Sequence, residues 1–354
     1  MRTPFILLIA ACLSCRAWGQ PPAPPFTATW TEGRCIDCKT ATDLTDVQWL
    51  NSNEAWGIGM SVPPVGLDFS IVHTVDSGRT WKELPNSWQH AAPPALTFLD
   101  SAHGWYCCWN LYCGRTVGPR MFSTRDGGRH WRLISAEGAV AMAFADENHG
   151  IGRAFGVDNT GTAVRTLDGG RTWSPIQIPR LKKIDGILLL SGQIAWITDY
   201  EGSDLLLFRT IDAGRSWQVS SISLRSESVR QLSFVDKDHG WIVLKHRTSG
   251  ETRLLATGDG GQRWKPISLS PVRDVDVVPE PDVLGFVSDI VGFVFSAGAN
   301  ESDNRVLFTA DGGMHWQSYS FPYSIGHCQA MEGDLLCSAD AKGSHFGVVA
   351  LHPK

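Results

Sequence analysis

The chain has 354 residues, of which 43% are hydrophobic and 19% charged, so it can bury a core and is not disordered by composition. Thirty-six glycines and fifteen tryptophans beside so few charges point to tight turns and short strands rather than long helices. A net charge of −5 argues against a general nucleic-acid binder, which would normally be basic.

The first 19 residues read as a signal peptide. Met1-Arg2 gives a positive start, Pro4 to Leu13 is a short apolar core, and Ala17-Trp18-Gly19 places small residues at −3 and −1 before Gln20. A competing reading takes Ile9-Ala10-Ala11-Cys12 as a lipoprotein box anchored at Cys12, but its apolar core would be too short. Export to the periplasm or the extracellular space is therefore expected, and removing Arg2 and Arg16 with the leader makes the net charge −7. Residues 20–25, QPPAPP, read as an extended spacer. No other run of 18 apolar residues follows, so an integral membrane protein is not expected.

From Phe26 onward a repeat dominates. The pattern Thr-x-Asp-x-Gly-x-x-Trp occurs six times, with its aspartate at Asp76, Asp126, Asp168, Asp212, Asp259 and Asp311, spaced on average 47 residues apart. Each copy follows an apolar strand such as SIVHT or RLLAT and leads into another short strand. The pattern is a hairpin corner: the carboxylate accepts nearby backbone N–H groups, the glycine takes a positive φ, and the tryptophan packs on the sheet. Upstream of each corner lies a second hairpin, as in VQWLNSNEAWGIGM from Val47 or LSFVDKDHGWIVL from Leu232. One repeat is thus four antiparallel strands, the period of a propeller blade. A seventh hairpin, Cys328 to Cys337, has no Asp corner after it and is followed only by HFGVVAL from His345. The strand that this blade lacks is supplied by Phe26 to Trp30, which closes the ring. The expectation is an all-β, seven-bladed β-propeller over residues 26–354, in one domain.

Seven cysteines survive maturation, and in an exported chain disulfides are expected over metal ligands. CQAMEGDLLC is symmetric about Glu332-Gly333, so a two-residue turn sets Cys328 opposite Cys337 within disulfide reach. Cys107 or Cys108 with Cys113 is a weaker pair, Cys35 with Cys38 a third, and one thiol stays free.

The octapeptides resemble the Asp-box, or BNR repeat, of sialidases, other glycoside hydrolases, sortilin-type receptors and a photosystem II stability and assembly factor family. The GGRTW form, following Ala102-His103-Gly104-Trp105 and Asp238-His239-Gly240-Trp241, looks most like the photosystem II stability/assembly factor-like group. That resemblance implies an exported propeller without catalytic residues, acting as a protein-binding assembly or stability factor. Its partner would be a polypeptide in the cell envelope, and the name does not require a photosynthetic host. A sialidase would carry a Phe-Arg-Ile-Pro-like segment near its start, and PPFTATWTEGRC lacks it. A secreted glycoside hydrolase or carbohydrate-binding propeller remains the alternative.

In a propeller the Asp corners share a face with the 1–2 turns, while the 2–3 turns and the links between blades form the opposite rim. On that rim the sequence places Arg115, Arg120, Arg180, Lys182, Lys183, Arg225, Arg230, Arg247 and Arg273, a candidate docking patch for an acidic or membrane-protein segment. Loop carboxylates that could pair as glycosidase acid and base are Asp199 with Glu201, Asp204, Asp274 and Asp276, and Glu280 with Asp282. No catalytic residue, metal or cofactor is assigned, and a monomer is expected.

Overall fold

Seven small sheets follow one another along the chain in the computed structural model, which describes residues 24–36, 38, 43–61, 68–85, 95–109, 119–135, 139, 141–155, 161–249, 251–268, 283–296, 304–321, 323–341 and 344–354. Residues 1–19, read as a leader, lie outside these. Among the described residues no helix is long and apolar enough to cross a membrane. Six sheets have four strands and one has five, and at most junctions the first strands of adjacent blades touch around the axis. Numbered in chain order, the blades span 43–83, 95–135, 141–175, 186–223, 227–267, 283–320 and 324–353, and blade 4 is representative. Its strands Gly186–Leu189, Ala195–Glu201, Asp204–Thr210 and Gln218–Ser223 pair antiparallel in chain order.

The ring closes as its sequence requires. Phe26–Thr31 pairs antiparallel with Ser344–Pro353, from Phe26 opposite Pro353 to Thr31 opposite Val348. Lys354 donates its amide to the Pro25 carbonyl at 3.0 Å, so residues 25 and 354 lie together.

Each Asp corner is a closed hydrogen-bond unit. In blade 3, Asp168 Oδ1 accepts the Thr166 hydroxyl and the Thr172 amide, both at 2.9 Å, and Oδ2 accepts the Thr172 hydroxyl at 2.7 Å. The Thr166 hydroxyl oxygen also accepts the Gly170 amide at 2.8 Å. Asp76 and Asp212 repeat this arrangement with Thr80 and Ser216. At Asp126, Asp259 and Asp311 the side chains of His130, Arg263 and His315 replace the hydroxyl. Gly169 and Gly170 stand at φ 72° and 86°, which explains the paired glycines. Burial alone would raise the Asp126 carboxyl, but bonds from His130 and Thr124 outweigh it and hold it at about 2. Asp168 is lowered by the same balance. Its contribution is therefore present above the usual carboxylate range and lost as pH falls through its depressed folded value. Asp168→Ala should cost about 1–3 kcal/mol at pH 7 by leaving turn donors unsatisfied. Thermal melts should show that deficit shrinking below about pH 4, where the parent loses the same bonds.

Blades are cemented by aromatic stacks that point forward along the chain. Trp196, on the second strand of blade 4, lies flat on Phe234 of blade 5 with ring centroids 3.8 Å apart. Its indole N–H donates to the carbonyl of Gly260 in the blade 5 corner at 3.1 Å. Trp264, from that corner, meets the same Phe234 edge-on. Trp56 on Phe98 and Trp105 on Phe144 repeat the stack and the glycine bond, through Gly127 and Gly169. The glycine of His-Gly-Trp makes room for this phenylalanine: a Cβ on Gly240 would sit 2.4 Å from the Phe234 ring.

Three glutamines add polar stitches at the axis. Gln48 both donates to and accepts from the backbone of Phe98, Gln231 does so with Leu284, and Gln329 with Trp49, at 2.7–3.0 Å. The last stitch joins blade 7 to blade 1.

Two features differ from the expected pattern. Arg34–Ile36 adds a fifth strand, parallel to Thr80–Glu83, on the outer edge of blade 1. Cys35 and Cys38 at its end are bridged, so the pair ranked third forms. The Cys328–Cys337 disulfide forms between directly opposed residues with Cα atoms 4.1 Å apart. Glu332 and Gly333 turn the hairpin at φ 54° and 89°. Cys107 is corrected from a pairing candidate to a free, buried thiol, which burial pushes up to about 12. The Cys108 side chain and Cys113 lie outside the described residues.

Candidate functional site

The link from blade 3 to blade 4 is pinned, and that fixes how its cations are shown. Ile178-Pro179-Arg180-Leu181 forms a tight turn, closed by the Leu181 amide on the Ile178 carbonyl at 3.2 Å. Arg180 takes φ 73° there, a conformation favouring glycine. Immediately after it, buried Asp199 accepts the amides of Lys182 and Lys183 with Oδ2, at 2.9 and 3.1 Å. Its Oδ1 accepts the Tyr200 amide at 2.7 Å. All three basic side chains project from this anchored backbone and are exposed.

The next link, from blade 4 to blade 5, is built the same way. Arg225 stands at φ 52° in a turn closed by the Glu227 amide on the Leu224 carbonyl at 2.7 Å. Among described non-glycine residues with positive φ, Ser77 and Ala213 belong to Asp corners and Glu332 to a hairpin turn. The other two are Arg180 and Arg225. Strain kept at a basic residue in two consecutive links is the kind of outlier that collects at binding sites.

The remaining cations come from blade 5. Arg230 is the extra residue of a bulge between Val229 and Gln231, which turns its side chain out of the regular alternation. Arg247 lies in the 2–3 turn, its amide bonded to the Ser226 carbonyl at 2.9 Å. Arg180, Lys182, Lys183 and Arg225 thus lie on the links before blades 4 and 5, Arg230 near the start of the first strand of blade 5, and Arg247 in its 2–3 turn. Arg120 sits half-buried at the start of the third strand of blade 2, and Arg115 and Arg273 lie outside the described residues.

Two carboxylates beside these cations are engaged. Glu201 takes Arg180 at 2.8 Å and Lys182 at 3.5 Å, and the Arg180 bond draws its carboxyl down. Asp199 is spent on three amides. Of the pairs read as a glycosidase acid and base, Asp199 with Glu201 is therefore a loop anchor and an ion-pair partner. Asp204 opens the third strand of blade 4, while Asp274, Asp276, Glu280 and Asp282 lie outside the described residues. Sequence reasoning missed Tyr200, whose hydroxyl is raised by burial and by neighbouring Asp185. It also missed the fork by which Arg253 holds Glu227, at 2.9 and 2.5 Å. Pro179 before Arg180 was the available signal for a turn, since proline presets its first central position. Nothing in the sequence marked the bulge at Arg230.

Comparison with known proteins places this geometry in context. No protein-family model matches the chain, and no curated protein does. Among solved structures it is similar to YCF48 bound to a D1 peptide, with 16% identity and a TM-score of 0.62, over 94% of this chain and 98% of that one. It is also similar to the GH74 xyloglucanase from Xanthomonas campestris, with 11% identity and a TM-score of 0.54, over 89% of this chain and 52% of that one. A Mycobacterium tuberculosis puromycin-hydrolyzing peptidase gives 11% identity and a TM-score of 0.54, over 84% and 50%. The propeller fold is what these likenesses show, and the match spans about half the length of each of the two enzymes.

Proposed function

We propose that this chain is an exported, non-catalytic propeller of the photosystem II stability/assembly factor-like kind. It holds an acidic segment of a partner polypeptide in the cell envelope on the basic rim of blades 3 to 5. The observation that carries the reading is the pair of arginines, Arg180 and Arg225, kept in left-handed backbone on successive links. The likeness to a peptide-bound propeller over nearly the whole of both chains supports it. The engagement of Asp199 and Glu201 argues against the glycosidase alternative at this sector, because a catalytic pair must be free to exchange protons.

The test separates binding from folding. Reversing Arg180, Lys182 and Lys183 together to Glu should weaken capture of the partner from host envelope fractions by tenfold or more, with added salt mimicking the loss. Arg225→Gly should weaken capture while leaving the melting temperature unchanged or higher, since glycine relieves the backbone. Salt-insensitive capture by the triple variant, equal to the parent, would remove the electrostatic reading.

A further inference from the structure

On the opposite face, three blade junctions carry equivalent grooves. Each is walled by the residue between Thr and Asp of one corner and the residue after the second glycine position of the next. Between blades 2 and 3 these are Arg125 and Arg171, and the groove holds about 30 Å³. Between blades 3 and 4 they are Leu167 and Arg215, and it holds about 40 Å³. Between blades 5 and 6 they are Gly258 and Met314, and the groove opens to about 470 Å³.

That opening follows from sequence departures at one junction. Blades 1 to 4 carry Val75, Arg125, Leu167 and Ile211 at the first position, and Arg79, Arg129, Arg171 and Arg215 at the second. Gly258 does not have a positive φ, and a Cβ there would meet nothing nearer than His239 at 3.8 Å. The backbone does not need this glycine, and its effect is empty space. The indole N–H of Trp241 at this junction is buried without an acceptor, whereas Trp56, Trp105 and Trp196 give theirs to the next corner's glycine. The equivalent glycine here is Gly312, which lines the groove.

The lining states what would fit. Met314, Ile267 and Pro266 give an apolar wall, and Met314 is 71% exposed, a flexible side chain suited to adapting around a ligand. Lys265 and Arg263 are cationic. Arg263 spends only its Nε on Asp259, at 2.8 Å, so its terminal nitrogens face outward. Asp259 is neutralised by that pair. The volume is in the range of small-molecule sites.

We propose that the groove between blades 5 and 6 binds a small amphipathic organic anion, an aryl or alkyl carboxylate or sulfonate. Its apolar part lies in the Gly258 notch against Met314, and its acid faces Lys265 and Arg263. The site lies on the face away from the basic rim and does not depend on the reading given to that rim.

The probe is 8-anilinonaphthalene-1-sulfonate, titrated by fluorescence into the folded chain, with 1-naphthoate as competitor. The parent should show one saturable site that naphthoate displaces. Gly258→Val, which installs the blade 1 residue, should weaken binding at least tenfold, as should Lys265→Glu. Met314→Arg, which restores the residue of blades 1 to 4, gives an independent second closure of the groove. Arg171→Glu, at the narrow junction, should bind as the parent does. The proposal is overturned by a parent without a saturable site, or by Gly258→Val and Met314→Arg variants that melt normally and still bind like the parent.

Discussion

Phe234→Ala should cost about 3–5 kcal/mol of stability, the range for removing a buried phenylalanine. Phe234 is almost fully buried, clamped by Trp196 of the preceding blade on its face and by Trp264 of its own blade at its edge. Gly240 exists to admit that ring, so truncation leaves a void that neighbouring backbone cannot fill. In urea unfolding the Trp196→Ala and Phe234→Ala changes should be non-additive, since each removes the other's stacking partner. A loss below 1 kcal/mol for Phe234→Ala would show that the forward stack does not hold the junction.

Phe26→Ala should cost a similar 3–5 kcal/mol, but through ring closure. The ring of Phe26 meets Phe293 at 5.3 Å, Tyr319 at 5.4 Å and Phe308 at 5.6 Å, so the closing strand is anchored in blade 6 as well as blade 7. Hydrogen exchange should locate the damage. Amides of Ser344–Pro353, whose partner is the Phe26 strand, should lose protection before those of blade 4. Uniform loss across all blades would mean that closure and blade stability are a single event.

What the sequence disclosed follows from its periodicity. Thr, Asp, Gly and Trp at fixed spacing specify a corner locally, so six corners and the blade count could be read from residue types alone. The Cys328–Cys337 bridge was legible because CQAMEGDLLC defines its own register. The strand Arg34–Ile36 was not, since three residues joining an outer edge in parallel leave no alternation to detect. The stitches of Gln48, Gln231 and Gln329 were invisible for a different reason. A lone glutamine in a strand looks solvated until the neighbouring blade supplies a backbone partner. At the rim, the cations could be named but not their presentation. The positive φ of Arg180 and Arg225 is a property of local turns that residue type does not mark, and the anchoring of the link before blade 4 by Asp199 arises only when separated segments meet.

Closure by the two ends of the ring also sets a clock. Phe26–Thr31 is made early and its partner Ser344–Pro353 last, with more than 300 residues between them. At about 5–20 residues per second, the first strand waits roughly 15–60 s for its partner. Throughout that interval Phe26 and Trp30 sit on an unpaired strand, open to other chains. The alternating Thr27 and Thr29 keep one side of it polar. However quickly the first six blades condense, the ring cannot be completed before Ser344–Pro353 has reached the compartment where the chain folds, so closure comes after every other blade has had its chance to form.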